Sequence, residues 1–253
     1  MRISMTISAA VLSAAVFAGA TGEAVAGSKK PFSATAVQTF KDQQVQSGTI
    51  FVAGDDTRFE YVERGREMVK IILPEQKIMR ILFPQDKLYM EIQAPADAPT
   101  QVGGDTSPCP QIDGLTCKKI ADAKFGAFDV EQWQQHHAPT NTSSMLWWEP
   151  QRNMIVRQEF PDGRIMQLTM SGNVDFEGRQ VERWDMSLAD PSGKVTTAYQ
   201  LVDTDIGIIV KEENPAMGLS RELRGLKISA SAAGWFDVPA GYQRIEAPKT
   251  PTK

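Results

Sequence analysis

From Phe32 to Ile92, apolar positions alternate with polar ones in short runs broken by turn residues. Phe32, Ala34 and Ala36 are spaced by two; Thr49 to Ala53 runs into Gly54-Asp55-Asp56, and Arg58 to Glu63 into Arg64-Gly65. A period of two with Gly and Asp punctuation predicts half-buried strands, and no helical period is present. Leu73-Pro74-Glu75-Gln76-Lys77 returns ten residues later as Phe83-Pro84-Gln85-Asp86-Lys87. Proline presets φ and removes a ladder donor while the polar residues solvate the bend, so each copy predicts a hairpin corner of an antiparallel meander.

One strand breaks the alternation. Ile78, Met79, Ile81, Leu82 and Phe83 put apolar side chains on both faces, with Arg80 the exception. An antiparallel strand with one wet face should alternate, so something must cover the second face. Either another segment packs there, or a curved sheet presents a concave face to an apolar ligand. Met79, Ile81 and Phe83 are the candidate ligand contacts on the second reading, and Met68, Met79 and Met90 suit such an adaptable surface.

Residues 94–108 shift to Ala, Pro, Gly, Asp and Thr, which predicts a loop joining possible lobes 27–93 and 109–246. Beyond it Val130-Glu131-Gln132-Trp133 recurs as Val181-Glu182-Arg183-Trp184, 51 residues on, each after a glycine turn at Gly126 or Gly178. Comparable strands follow each copy, so four strands per unit predict continued meanders of one extended sheet. Trp147 and Trp148 lie in the first unit. Both are further candidate contacts, although by alternation one belongs in the core and the other outside. The last seven residues, 247–253, read as a polar tail.

The N-terminus has the form of an export signal: Arg2, an apolar run from Ile7 to Ala20, then Ala24-Val25-Ala26 with Gly27 as the expected new N-terminus. The run is shorter than the ~20 residues of a membrane span. With no cysteine at the cleavage site, the expected product is a soluble periplasmic protein without a lipid anchor or transmembrane span. The formal net charge of −4 is spread along the chain without a basic stripe, which excludes nucleic acid as a partner and gives little attraction to anionic membranes. Cys109 and Cys117 are the only cysteines. In an oxidising compartment they predict one structural disulfide, since their spacing matches neither a C-x-x-C redox motif nor a zinc site.

No catalytic or nucleotide-binding motif is present. His136 and His137 are adjacent, a poor arrangement for one metal; Asp203-x-Asp205-x-Gly207 lacks the remaining ligands of a calcium loop and reads as a hairpin turn; the neighbouring carboxylates of Glu212-Glu213 face apart on a strand. Neither enzyme, metal nor cofactor is expected.

Ser47-Gly48-Thr49-Ile50-Phe51-Val52 with Arg58-Phe59-Glu60, the strand pair Lys77 to Phe83 and Lys87 to Ile92, and Trp147-Trp148-Glu149-Pro150 with Ile155-Val156-Arg157 resemble the superfamily of the periplasmic lipoprotein carriers LolA and LolB. Leu115-Thr116-Cys117-Lys118-Lys119 and Phe236-x-Val238-Pro239-x-Gly241-Tyr242 look more like its uncharacterised exported relatives. The resemblance implies a mainly β fold: a large curved antiparallel sheet forming an incomplete barrel around an apolar concavity. This chain departs from the carriers in starting a strand at Phe32 to Phe40 where they place a helix, and in lacking lid helices. The expected function is non-enzymatic binding of a lipid or lipidated protein. The alternative is a module with a packed interior that docks or senses another envelope protein through its sheet edge or the loop 94–108.

Overall fold

The alternating runs become strands and the turn residues become corners. The computed structural model describes residues 28–93, 108–109 and 114–246. The signal segment with its Ala26/Gly27 site, most of the loop 94–108 and the tail 247–253 lie outside the described residues. The strands are β1 (Ser28–Phe40), β2 (Gln43–Gly54), β3 (Asp56–Glu63), β4 (Arg66–Leu73), β5 (Ile78–Phe83), β6 (Leu88–Gln93), β7 (Leu115–Phe125), β8 (Phe128–His137), β9 (Thr142–Glu149), β10 (Met154–Glu159), β11 (Ile165–Phe176), β12 (Arg179–Ala189), β13 (Val195–Asp203), β14 (Ile208–Asn214), β15 (Leu219–Ile228) and β16 (Gln243–Ile245). A single 3-10 turn, Ala138–Thr140, is the only helical element among the described residues. The two Pro-containing corners adopt the same form: Lys77 and Lys87 take positive φ, and their N–H groups donate to Pro74 and Pro84 oxygens at 3.0 and 3.3 Å.

All sixteen strands join one sheet in the order β16-β6-β5-β4-β3-β2-β1-β15-β14-β13-β12-β11-β10-β9-β8-β7. The chain starts in the middle, walks to one edge, resumes at the other edge with β7 and meanders back until β15 pairs with β1. Neighbours are antiparallel except β16 beside β6. The repeated unit is realised as β8 to β11 followed by β12 to β15. The two ends do not meet, so the sheet is an open, curved antiparallel structure, as the chain pattern implies.

Its curvature is visible in contacts between strands remote in that order. The turn residue Glu177, between β11 and β12, accepts a hydrogen bond from the Gly225 N–H of β15 at 2.6 Å, and the Lys29 N–H of β1 donates to the Ile206 oxygen between β13 and β14 at 2.9 Å. Register shifts in β11/β12 and β13/β14 add the local twist this coiling needs. Val181 and Leu201 consequently join a core with Phe32, Ile50 and Phe59, while Trp184 and Val202 join another with Val156 and Leu168. The β12–β13 region is thus packed on both faces.

A third cluster explains half of the anomaly in β5. Ile78 and Leu82 pack with Val69, Ile71 and Leu73 of β4 under Phe236 and Tyr242 from the segment that follows β15. That segment is pinned across the outer face: Arg58 donates to the Trp235 carbonyl at 3.0 Å, Arg80 to the Phe236 carbonyl at 3.4 Å, and the Trp235 ring meets Phe51 edge-on at 5.3 Å. It then adds β16 to the edge.

Candidate functional site

Among the described residues, no comparable segment packs on the opposite face of β5. From β2 to β6 the pairing runs without a register shift, so Ile50, Phe59, Lys70, Ile81 and Met90 form one row of directly opposed residues, extended by Ala34 of β1. The row beside it is Phe32, Val52, Thr57, Ile72, Met79 and Ile92. Ala34, Ile50 and Phe59 are core residues, yet from β4 outward every member of both rows is only half-buried. Among the described residues, the face therefore passes from core to half-buried surface. Tyr61 and Met68 oppose each other on it, as do Phe83 and Leu88.

Gly48 and Phe59 set where the core ends. A Cβ at Gly48 would come within 2.7 Å of the Phe59 ring and closer still to the Glu60 carbonyl oxygen. Glycine is needed there for space, and it lets Phe59 lie flat across β2 with Tyr61 stacked on it at 5.1 Å.

Met79, Ile81 and Phe83 are brought together on this face by the period of two. Trp147 and Trp148 are not: β9 lies near the far end of the strand order. Trp148 is 2% exposed, with its indole N–H donating to Asn153 Oδ1 at 3.1 Å, and Trp147 packs against the second core beneath the Arg157 guanidinium at 5.2 Å. The half-exposed residues missing from the sequence reading are Ile72, Leu88, Ile92 and, above all, Lys70. The available signal was its isolation between Met68-Val69 and Ile71-Ile72. Burial pushes the Lys70 ammonium below its ordinary pKa of 10.5, and no counter-charge acts against it. Among the described residues, no acceptor pairs with it.

The other candidate chemistry resolves into local structure. His136 Nδ1 lies 3.1 Å from Ser143 Oγ, and His137 Nδ1 2.7 Å from Thr140 Oγ1. Asp203 accepts from the N–H groups of Asp205 and Ile206 at 3.0 and 3.3 Å and pairs with Arg179, which makes the Asp-x-Asp-x-Gly sequence a braced hairpin turn. Glu213 accepts from the Tyr199 hydroxyl at 2.7 Å, and Glu212 sits 3.5 Å from Arg221. Cys109 and Cys117 are disulfide-bonded. Among the described residues no group of three His, Cys, Asp or Glu side chains is placed to hold a metal, and no helix is long and apolar enough to cross a membrane.

No family model and no curated protein matches this chain. Solved structures do. A domain described for outer membrane lipoprotein sorting from Vibrio parahaemolyticus is 13% identical over 80% of this chain and 86% of its own length, with a TM-score of 0.31. A LolA-superfamily protein from Nitrosomonas europaea is 10% identical over 84% of this chain and 90% of its own, with a TM-score of 0.36. With superpositions this loose, the function has to be read from the chain's own side chains.

Proposed function

We propose that the protein is an exported, periplasmic, non-enzymatic binder of an apolar envelope ligand, a lipid or a lipidated protein, seated on the half-open face of β4 to β6. The observation that carries this reading is the uninterrupted passage from core to half-buried apolar surface along the rows that contain Met79, Ile81 and Met90. Apolar area left in water costs roughly 25 cal/mol per Å², so apolar side chains left partly in water favour an apolar guest. The three methionines Met68, Met79 and Met90 can adjust to acyl chains of different shape. The alternative, docking through a sheet edge, would use β7 or the three-residue β16, the two edges among the described residues; Lys118, Lys119 and Lys124 blunt β7 against pairing.

Protein purified from periplasm without detergent is expected to release a lipid into organic solvent, identified by mass spectrometry. Phe83→Asp is expected to fold and carry less of it. Lipid content no higher than that of an unrelated periplasmic protein prepared in parallel overturns the reading.

A further inference from the structure

Half-buried cations elsewhere in this sheet are paired. Arg58 meets Glu60 at 2.7 Å, Arg80 meets Glu91 at 3.0 Å, Arg152 meets Glu182 at 2.7 Å and Lys211 meets Glu213 at 3.4 Å. Lys70 departs from this pattern. Its cross-strand neighbours are Phe59 and Ile81, and its neighbours along the same face of β4 are Met68 and Ile72. A cation among apolar side chains is disfavoured unless something supplies its missing counter-charge. Arg80, one position from Ile81 but on the covered face, shows the contrast: there the protein provides Glu91 and a backbone carbonyl.

We infer that the ligand is an anionic amphiphile, its single acidic head group held by the Lys70 ammonium and its hydrocarbon chain laid along Ile72, Met79, Ile81 and Met90. The inference rests on the proposed binding face and adds the chemistry of the head group. A carboxylate or phosphate oxygen accepting from the ammonium forms a charge-assisted hydrogen bond, strengthened by the apolar surroundings that make the lone charge costly. A neutral lipid would leave the ammonium unpaired. The net charge of −4 offers anions no long-range attraction, so selectivity has to come from this local contact. A fatty acid and an acidic monoacyl phospholipid share the required chemistry.

Delipidated full-length protein, exported and processed in a periplasm, is titrated near neutral pH with oleate, oleoyl lysophosphatidic acid and neutral monoolein. At least one of the anionic ligands is expected to bind about tenfold or more tightly than monoolein, and which one does so identifies the head group as carboxylate or phosphate. Lys70→Met should erase that preference while leaving monoolein affinity within about twofold, whereas Lys70→Arg should retain it. Melting curves verify that each variant is folded, and Lys70→Gln replaces the methionine variant if that one is not. Equal affinity for all three ligands, or a preference that survives loss of the charge, overturns the anionic head group but leaves an apolar binder. Failure of all three to bind overturns both.

Discussion

Arg152 grips Glu182 with two parallel hydrogen bonds, Nε to Oε2 at 2.8 Å and Nη2 to Oε1 at 2.7 Å. The pair links the β9–β10 turn to β12 across the intervening strand β11. Trp184 Nε1 donates to the same carboxylate at 3.0 Å, and the Arg152 guanidinium lies 5.0 Å from the Phe128 ring centre. The repeated Val-Glu-x-Trp motif keeps this geometry in its other copy, where Trp133 donates to Glu131 at 3.0 Å and Lys119 supplies the cation at 2.6 Å. Arg152→Ala would strand a mostly buried carboxylate. The expected loss is about 3 kcal/mol of unfolding free energy, read from urea denaturation.

The same pair predicts an acid response. The hydrogen bonds from Arg152, joined by that from Trp184, hold the Glu182 carboxyl below its ordinary 4.5. A folded pKa that is depressed contributes stability fully above the unfolded value and loses it as pH falls through the folded one. Relative to wild type, Arg152→Ala should therefore lose less stability between pH 4.5 and more acidic conditions, measured as the difference between their urea midpoints.

Lys70→Met should stabilise the ligand-free protein even as it alters binding. Burial lowers the Lys70 pKa from 10.5, so the folded state releases this proton more readily than the unfolded chain. The cost of the charge is present in full below the folded pKa and shrinks as pH rises toward the unfolded value. The variant should melt about 2 °C higher near neutral pH, and its advantage should narrow as pH approaches 10.5.

Phe236→Ala removes a ring from the cover over Val69, Ile71 and Leu82. Because Phe236 is only half-buried, the cost should fall toward the low end for aromatic truncation, about 2 kcal/mol, in chemical denaturation. The variant should also bind a hydrophobic dye more strongly than wild type, through the outer face of β4 and β5. Unchanged stability would mean that this segment contributes no cover.

Cys117→Ala should lower stability by about 2 to 3 kcal/mol, because the bridge to Cys109 closes a short loop at the start of the edge strand β7. Lipid content should be unchanged, since β7 and β6 lie at opposite ends of the strand order. A matching loss of bound lipid would contradict that separation.

Local structure was legible along the chain. Alternation from Phe32 to Ile92 marked the strands, Pro74 and Pro84 marked two corners, the pairing of Cys109 with Cys117 was legible, and the Val-Glu-x-Trp repeat announced two successive four-strand units. These are properties of neighbouring residues, and backbone sterics and the two-residue side-chain period act at that range. Which face of β5 Phe236 and Tyr242 cover depended on tertiary structure alone. Ile78 and Leu82 are closed over by Phe236 and Tyr242, more than a hundred residues later, and nothing in the pattern of β5 distinguishes them from Met79 and Ile81. The separation of Trp147 and Trp148 from that face depends likewise on the chain resuming at the far edge of the sheet. Lys70 is the clearest case. Its lone charge is visible in the sequence, but its lack of a partner depends on the register that sets Phe59 and Ile81 beside it, a relation between strands that no single strand encodes.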